Sequence, residues 1–395
     1  MKKTYILFLL MLSCSVMIAQ TEFSMRKFRR EMRTYIKAED YTNAENKLNS
    51  TLQAHPELLQ DQDVINLGVQ VSNYRAQEES RKIFLANKPD TARYFASIYT
   101  LYDYAQKVQE ISPRKKNILR QQLLNYYGNL GSAGKYFFNK HQYAESQKYT
   151  ELYLRMMQSP LFILDNTYRQ PDDSLQMTEL ALLASYGNKD YPSVVRYYEK
   201  IQEKNEIIYE IAINSFTNLK DTMNMLSNLK EACKRYPVHP FFYQTLLQYY
   251  IQRHDYQNTL HFVDTCLHYM PDSVKLWSLR GRSQYNLNME DSALQSFRYV
   301  IELDPDNASA YASIADIYLD KAHALFENNT FAVGTTRYRQ EKKKINLMYI
   351  NARTNYQKAQ TLAPDKTFLW LDGLRECYYK LNNGKELKKL EKLNN

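Results

Sequence analysis

The sequence predicts an all-α chain of stacked antiparallel helix hairpins, and three observations lead there. Chain breakers are scarce: 9 Gly and 11 Pro among 395 residues, against a usual combined share of roughly 12%. Bulky aromatic residues recur at an interval of 34, at Tyr209, Tyr243, Trp277 and Tyr311, and so do prolines, at Pro237, Pro271 and Pro305. Between these markers apolar residues fall at three- and four-residue spacing in two blocks per interval, the signature of two amphipathic helices. A hairpin of that size cannot bury its apolar face alone, so neighbouring units must stack into a solenoid. The same scarcity of breakers excludes collagen-like, linker-rich and loop-dense chains. A hydrophobic share of 44% excludes wholesale disorder.

Residues 1–19 read as an export signal. A basic start, Met1-Lys2-Lys3, precedes the apolar run from Tyr5 to Ala19, and Gln20, Thr21 and Glu22 then turn polar. That is the three-part secretory pattern, with cleavage expected after Ala19. The run is short of the roughly 20 residues a spanning helix needs. A rival reading makes Cys14 the acylated amino end of a lipoprotein, because Leu12-Ser13-Cys14 is similar to a lipoprotein box. The apolar Ser15–Ala19 stretch beyond it argues against that. Removal of the signal leaves Cys233, Cys266 and Cys377, none in a metal-binding spacing. They read as small buried hydrophobes on helices. An odd number in an exported chain implies a free thiol or an intermolecular bond.

Residues 20–128 form a helical region that opens on a weak unit marked by Tyr41, Ala44 and Pro56, while 61–128 reads as helical without a phase. Residues 129–205 hold degenerate units, one on Leu130, Ala133, Gly134, Phe137, Tyr143 and Ser146 and one ending on Tyr191, Val194 and Tyr198. Residues 206–307 carry three registered units. Leu229, Val263 and Phe297 share one column, and Ala232, Cys266 and Val300 another. In 308–366 a unit begins normally at Tyr311, Ala315 and Tyr318, but its second half, Ala352, Tyr356, Ala359 and Pro364, arrives 25 residues late. Residues 367–395 read as basic capping helices. Two helices per unit give roughly 14 to 16 in all.

These columns resemble the tetratricopeptide repeat. In the best copy, from Val274, Trp277, the small Gly281, Ala293, Phe297 and Pro305 stand at the motif's spacing. The copies at 206 and 240 depart from it, with Ile213 and Met225, then Leu247 and Thr259, where small residues are usual. The resemblance implies a right-handed superhelical solenoid whose first helices line a concave groove for an extended peptide or a partner helix. It places Asn214, Gln248, Arg282 and Asp316 in one groove column. Thr217, Ile251, Tyr285 and Leu319 form a second, and Asn218, Gln252, Asn286 and Asp320 a third. Amides pair with a peptide backbone through both donor and acceptor, and Tyr285 offers an aromatic anchor with a polar tip. The subset of the family that grips a terminal carboxylate needs a lysine where this chain has Glu210, Gln244 or Ser278, so a chaperone-adaptor role is disfavoured.

The formal balance is +9 from 52 basic and 43 acidic residues, and residues 337–395 alone hold 14 basic and 6 acidic side chains. With Arg26, Lys27, Arg29, Arg30 and Arg33 at the other end, these basic ends suit solubility of the solenoid caps or peripheral contact with anionic lipid or glycan. The interruption between Asp320 and Ala352, which contains Arg337, Arg339 and Lys342–Lys344, reads as a lengthened hairpin with a solvated basic side, the alternative being an insertion that contacts a partner from one face of the array. No nucleic-acid-binding motif is present. No P-loop, dinucleotide fingerprint, GxSxG elbow or HExxH occurs, so neither catalysis nor a cofactor is expected. His261 and His268 lie two turns apart on one helix, about 10 Å, too far to share a metal without further donors.

The expectation is an exported, non-catalytic scaffold of a Gram-negative bacterium, in the periplasm or on the periplasmic face of the outer membrane, that binds a protein or peptide partner. The alternative is a carbohydrate-binding component of an outer-membrane nutrient-uptake system, although Trp277 and Trp370 are its only tryptophans. A third reading is a structural spacer. Asp followed by Ser or Thr and an apolar residue occurs at Asp90, Asp173, Asp221, Asp272 and Asp291. This is similar to an O-glycosylation acceptor, yet Asp, Ser and Thr also serve as helix N-caps. Glycosylation predicts an intact mass above that of the bare chain when the protein is taken from its native host; a mass equal to the bare chain leaves capping as their role.

Overall fold

A computed structural model of the chain describes residues 23–86, 90–108, 113–159 and 171–391. The export signal and Cys14 lie outside them. Eighteen α-helices and no strand occur among the described residues, more than the roughly 14 to 16 that counting repeats suggests. Part of the excess comes from the stretch without a phase, which holds a full hairpin and the start of another helix.

The chain packs as two compact units that divide between Glu203 and Lys204. The first contains the hairpins α1 (Met25–Lys37) with α2 (Tyr41–Ala54), α3 (Gln62–Phe84) with α4 (Thr91–Lys107), α5 (Pro113–Asn139) with α6 (Tyr143–Met157), and α7 (Pro171–Gly187) with α8 (Tyr191–Tyr198). The second contains α9 (Glu206–Asn218) with α10 (Thr222–Arg235), α11 (Pro240–Gln252) with α12 (Tyr256–Tyr269), α13 (Val274–Asn286) with α14 (Glu290–Leu303), α15 (Ala308–Glu327) with α16 (Thr336–Leu362), and α17 (Leu371–Lys380) with α18 (Gly384–Glu391). The region boundary that the repeat pattern puts at residue 128 falls inside α5.

In the second unit the sequence columns become packing columns. Leu229, Val263, Phe297 and Tyr356 are all buried on the second helices, as are Ala232, Cys266, Val300 and Ala359 one turn later. Gly281 is needed where α13 meets α14: a Cβ there would lie 2.9 Å from the Phe297 ring. The cores follow one another along the chain as overlapping clusters rather than as one central core. The first unit is built more from aromatic rings. Phe137 stacks on Tyr149 at 5.2 Å between centroids and Tyr127 on Tyr153 at 4.4 Å. The hydroxyl of Tyr102 donates to the carbonyl of Leu123. Arg75 of α3 is fully buried, and its charge is met by Glu45 of α2 at 3.3 Å and Glu78 at 2.6 Å.

Prolines close the second helices as the sequence predicts. Tyr236, Met270, Asp304 and Ala363 cap α10, α12, α14 and α16 with non-helical backbone, and Pro237, Pro271, Pro305 and Pro364 follow them. The residue before a proline is excluded from the helical region by its neighbour's ring. The three thiols are buried and unpaired. Burial pushes Cys233 and Cys377 up to about 12 and Cys266 up to about 11.

The turns inside the hairpins share a different device. Glu39, His141, Lys189, Lys220, His254, Asn288 and Asn382 all have left-handed backbone, with φ between 54° and 61°. Each is followed by a residue whose N–H reaches five residues back, as Asp221 does to Phe216 at 2.9 Å and Asp255 to Tyr250 at 3.0 Å. This closes the first helix with a Schellman-type turn. The side chains of Asp40, Asp190, Asp221 and Asp255 then cap the next helix. Among the Asp-Ser/Thr positions, Asp90, Asp221 and Ser273 are such caps. Asp291 instead lies in the first turn of α14 and pairs with Lys321 at 2.5 Å.

A left-handed conformation costs a side chain about 1–2 kcal/mol, which glycine avoids at some cost in chain entropy. Lys220→Gly is therefore expected to raise the stability of the second unit by about 0.5–1 kcal/mol, read as a higher denaturation midpoint. A lower midpoint would mean that the lysine side chain itself holds the turn.

Candidate functional site

The candidate groove residues lie on four successive first helices, α9, α11, α13 and α15. Gln248, Arg282 and Asp316 are exposed and Asn214 is half-buried. In the neighbouring columns Thr217, Asn218, Gln252 and Asn286 are exposed, while Ile251, Tyr285, Leu319 and Asp320 are half-buried. The structure thus puts all twelve within reach of solvent, spread along the array rather than gathered into a closed cavity. Behind them the same helices bury Ile213, Leu247, Gly281 and Ala315, so the packed side of each helix fixes where its open side points.

Several of these side chains are already engaged. Asn218 and Asn286 each donate from Nδ2 to the carbonyl four residues back, on Asn214 and Arg282, at 2.8 Å. One donor of each amide is thereby spent on its own helix, and the Oδ1 acceptor remains. Tyr285 is not the free-tipped anchor the sequence suggests. Its hydroxyl donates to the Asp320 carboxylate on the next first helix, which ties α13 to α15 on the open side. Arg282, in contrast, forms no ion pair or side-chain hydrogen bond among the described residues.

Two further contributors had no signal in the sequence pattern. Tyr356, part of the late second half of the interrupted unit, is buried between helices, and its hydroxyl also donates to Asp316 Oδ1 at 2.5 Å across 40 residues of chain. His239, the residue before α11, has Nε2 3.6 Å from both Glu206 and Glu210 of α9. Its neighbour Pro240 marks the start of a helix, which hid the imidazole as a junction residue.

Asp316 and Asp320 give the α15 end of this face an acidic character. Asp316 keeps accessible surface yet is crowded by the protein around it. That crowding raises its carboxyl above the ordinary range and the charge of Asp320 adds to the effect, while the hydrogen bond from Tyr356 opposes it. Burial and the neighbouring carboxylates raise both tyrosines, Tyr285 beside Asp320 and Tyr356 beside Asp316. Both tyrosines therefore keep their hydroxyl protons at neutral pH and act as donors to the carboxyl groups. Among the described residues no group of three or more His, Cys, Asp or Glu side chains is placed to hold a metal ion.

A separate open cleft of about 820 Å³ lies where α14 meets the lengthened hairpin, lined by Leu294, Arg298, Tyr318, Lys321, Leu325 and Met348. None of the groove candidates lines it.

No protein-family model matches the sequence, and a search of curated proteins gives no match. Among solved structures, the chain is similar to the C-terminal part of a tetratricopeptide-repeat protein from Cytophaga hutchinsonii, at 14% identity and TM-score 0.40, covering 66% of this chain and 92% of that one. It is similar to MamA at 13% identity and TM-score 0.36, over 47% of this chain and 87% of that one. It is also similar to YrrB, described as a tetratricopeptide protein with an unusual peptide-binding site, at 14% identity and TM-score 0.34, over 51% and 92%.

The raised Asp316 carboxyl has a consequence for stability. Between its unfolded value and its raised folded value the folded state holds the proton more often, so stability falls as pH rises through that window. Asp316→Asn keeps an acceptor for Tyr356 and removes the charge. The variant is expected to unfold at a higher temperature than the parent at pH 7, with the gap closing as pH falls toward about 4. A gap independent of pH would contradict the assignment.

Proposed function

We propose that the chain is an exported, non-catalytic scaffold whose first-helix face over residues 206–327 holds a partner protein through an extended segment or a helix. The observation that carries this reading is Arg282, exposed and unpaired in the middle of a registered face. Gln248 and Asn214 precede it on neighbouring helices, and the Tyr285–Asp320 pair follows. A guanidinium presents a planar fork that suits a carboxylate or a run of peptide carbonyls. The amides that precede it add donors and acceptors that a peptide backbone can use whatever its sequence. Export to the periplasm, or to the inner face of the outer membrane, rests on the secretory pattern of residues 1–19.

The carbohydrate-binding alternative gains little. Sugar recognition favours open aromatic faces, and both indoles are committed to packing. Trp370 is buried with Nε1 donating to the Ala363 carbonyl at 3.0 Å. Trp277 donates to the Pro271 carbonyl at 2.7 Å and lies against Tyr299.

The test is crosslinked affinity purification from native membranes with the parent chain and with R282A/Q248A. Both side chains are exposed, so helicity should be unchanged. Loss of a buried charged anchor in an interface costs about 2 kcal/mol or more, so partner recovery should fall at least about tenfold. Equal recovery by the double variant would remove the groove assignment.

A further inference from the structure

The lengthened hairpin ends in a tip with an unusual combination of side chains. Phe326 closes α15 at 59% exposure, and Phe331 and Val333 in the connecting loop are 39% and 83% exposed. Directly after them, residues 337–344 carry Arg337, Arg339, Lys342, Lys343 and Lys344 against the single acid Glu341. Lys344 pairs with Glu341 at 2.9 Å. Arg339 donates to the Gly334 carbonyl at 3.0 Å. Arg337 lies over the Phe331 ring at 5.9 Å and Lys380 over the Phe326 ring at 5.2 Å. Lys342 and Lys343 form no ion pair among the described residues.

The mixture continues along α16. Its packed side is Ile345, Tyr349, Ala352 and Tyr356. Residues two positions away point to the opposite side of a helix with 3.6 residues per turn, and there stand Lys343 and the exposed Leu347 and Ile350, at 51% and 39%. The solvent side of this helix is therefore basic and apolar together. Ordinary solubility explains the lysines but not Phe331, Val333, Leu347 and Ile350 among them.

We infer that the tip of the α15–α16 hairpin is a peripheral docking surface for an anionic lipid bilayer, with its basic side chains among the headgroups and Phe331 and Val333 inserted at the acyl boundary. Charge complementarity selects this occupant. An excess of basic over acidic side chains is attracted to an anionic leaflet, and apolar side chains on a basic helix face are what hold such a helix in the interface plane. An acidic glycan would meet the charges but leave the apolar side chains in water. A second copy in a two-fold contact would bring the same basic cluster against itself. No described helix is long and apolar enough to cross a membrane, so this contact is a surface one. It does not depend on the groove reading.

The experiment is cosedimentation of the whole chain with phosphatidylcholine vesicles, with and without phosphatidylglycerol. Binding is expected only with the anionic lipid and should weaken as salt rises. K342Q/K343Q/K344Q should lower the affinity at least about tenfold, since each basic residue near an anionic surface contributes roughly a fivefold gain. F331S/V333S should also lose vesicle binding while keeping its retention on heparin, and the fluorescence of F331W should shift to the blue with anionic vesicles. Absence of binding to phosphatidylglycerol vesicles, or binding untouched by either set of substitutions, would overturn the inference. So would a loss confined to the lysine variant, which indicates a simple polyanion patch, or pelleting through the tip without vesicles, which indicates self-association.

Discussion

Two antiparallel helices of thirteen or fourteen residues, such as α11 and α12, carry more apolar surface than they can hide from water between themselves. The remainder must be covered by the next pair, and this single requirement organises the second unit. Leu229, Val263 and Phe297 are buried because another first helix follows each of them. Burying a side chain of this kind is worth about 1.5–3 kcal/mol, so each interface between hairpins outweighs what an isolated hairpin gains from its own helix propensity. The polar side of each first helix is consequently aimed by the packing behind it. An open polar face is obtained without any residue being placed for that purpose alone.

The same requirement explains how the array tolerates its longest departure from the 34-residue interval. Extra turns are added to the free end of α15 and to the start of α16, and the packed stripe of α16 simply continues through Ile345 and Tyr349 into Ala352, Tyr356 and Ala359. The stack beyond it is unaffected, since Tyr356 still meets α17 at Gly373, where an added Cβ would collide with its ring. A repeat protein can thus extend one hairpin outward into solvent while its neighbours keep their contacts. The protruding part is then free to carry chemistry that the stacked part would not accommodate.

Much of this was legible in the sequence because packing columns leave a periodic trace. Tyr209, Leu229, Ala232 and their equivalents repeat wherever one hairpin is laid on another, and prolines mark where second helices end. The first unit left a fainter trace for a physical reason. Its helices α3 and α5 run to 23 and 27 residues, so its hairpins have no common length, and interlocked rings such as Phe95, Phe137 and Tyr149 fill much of its core. The candidate face was legible as positions and not as interactions. That Tyr285 would hold Asp320, and Tyr356 hold Asp316, depends on hydroxyl groups reaching across helices, and the second contact spans the very insertion that displaced Tyr356 from its column. His239 escaped notice because its partners Glu206 and Glu210 lie one whole repeat earlier.

The three cysteines give the array a built-in set of reporters. Cys233, Cys266 and Cys377 sit in α10, α12 and α17, each buried with a thiol held well above its ordinary acidity range. A thiol reacts as its thiolate, so in the folded chain all three are shielded twice, by access and by protonation. An array in which each hairpin contacts only its neighbours opens piecemeal rather than all at once. Alkylation of each thiol then clocks the opening of its own hairpin, and the differences among the three rates trace how order is distributed from α10 to the carboxy-terminal cap.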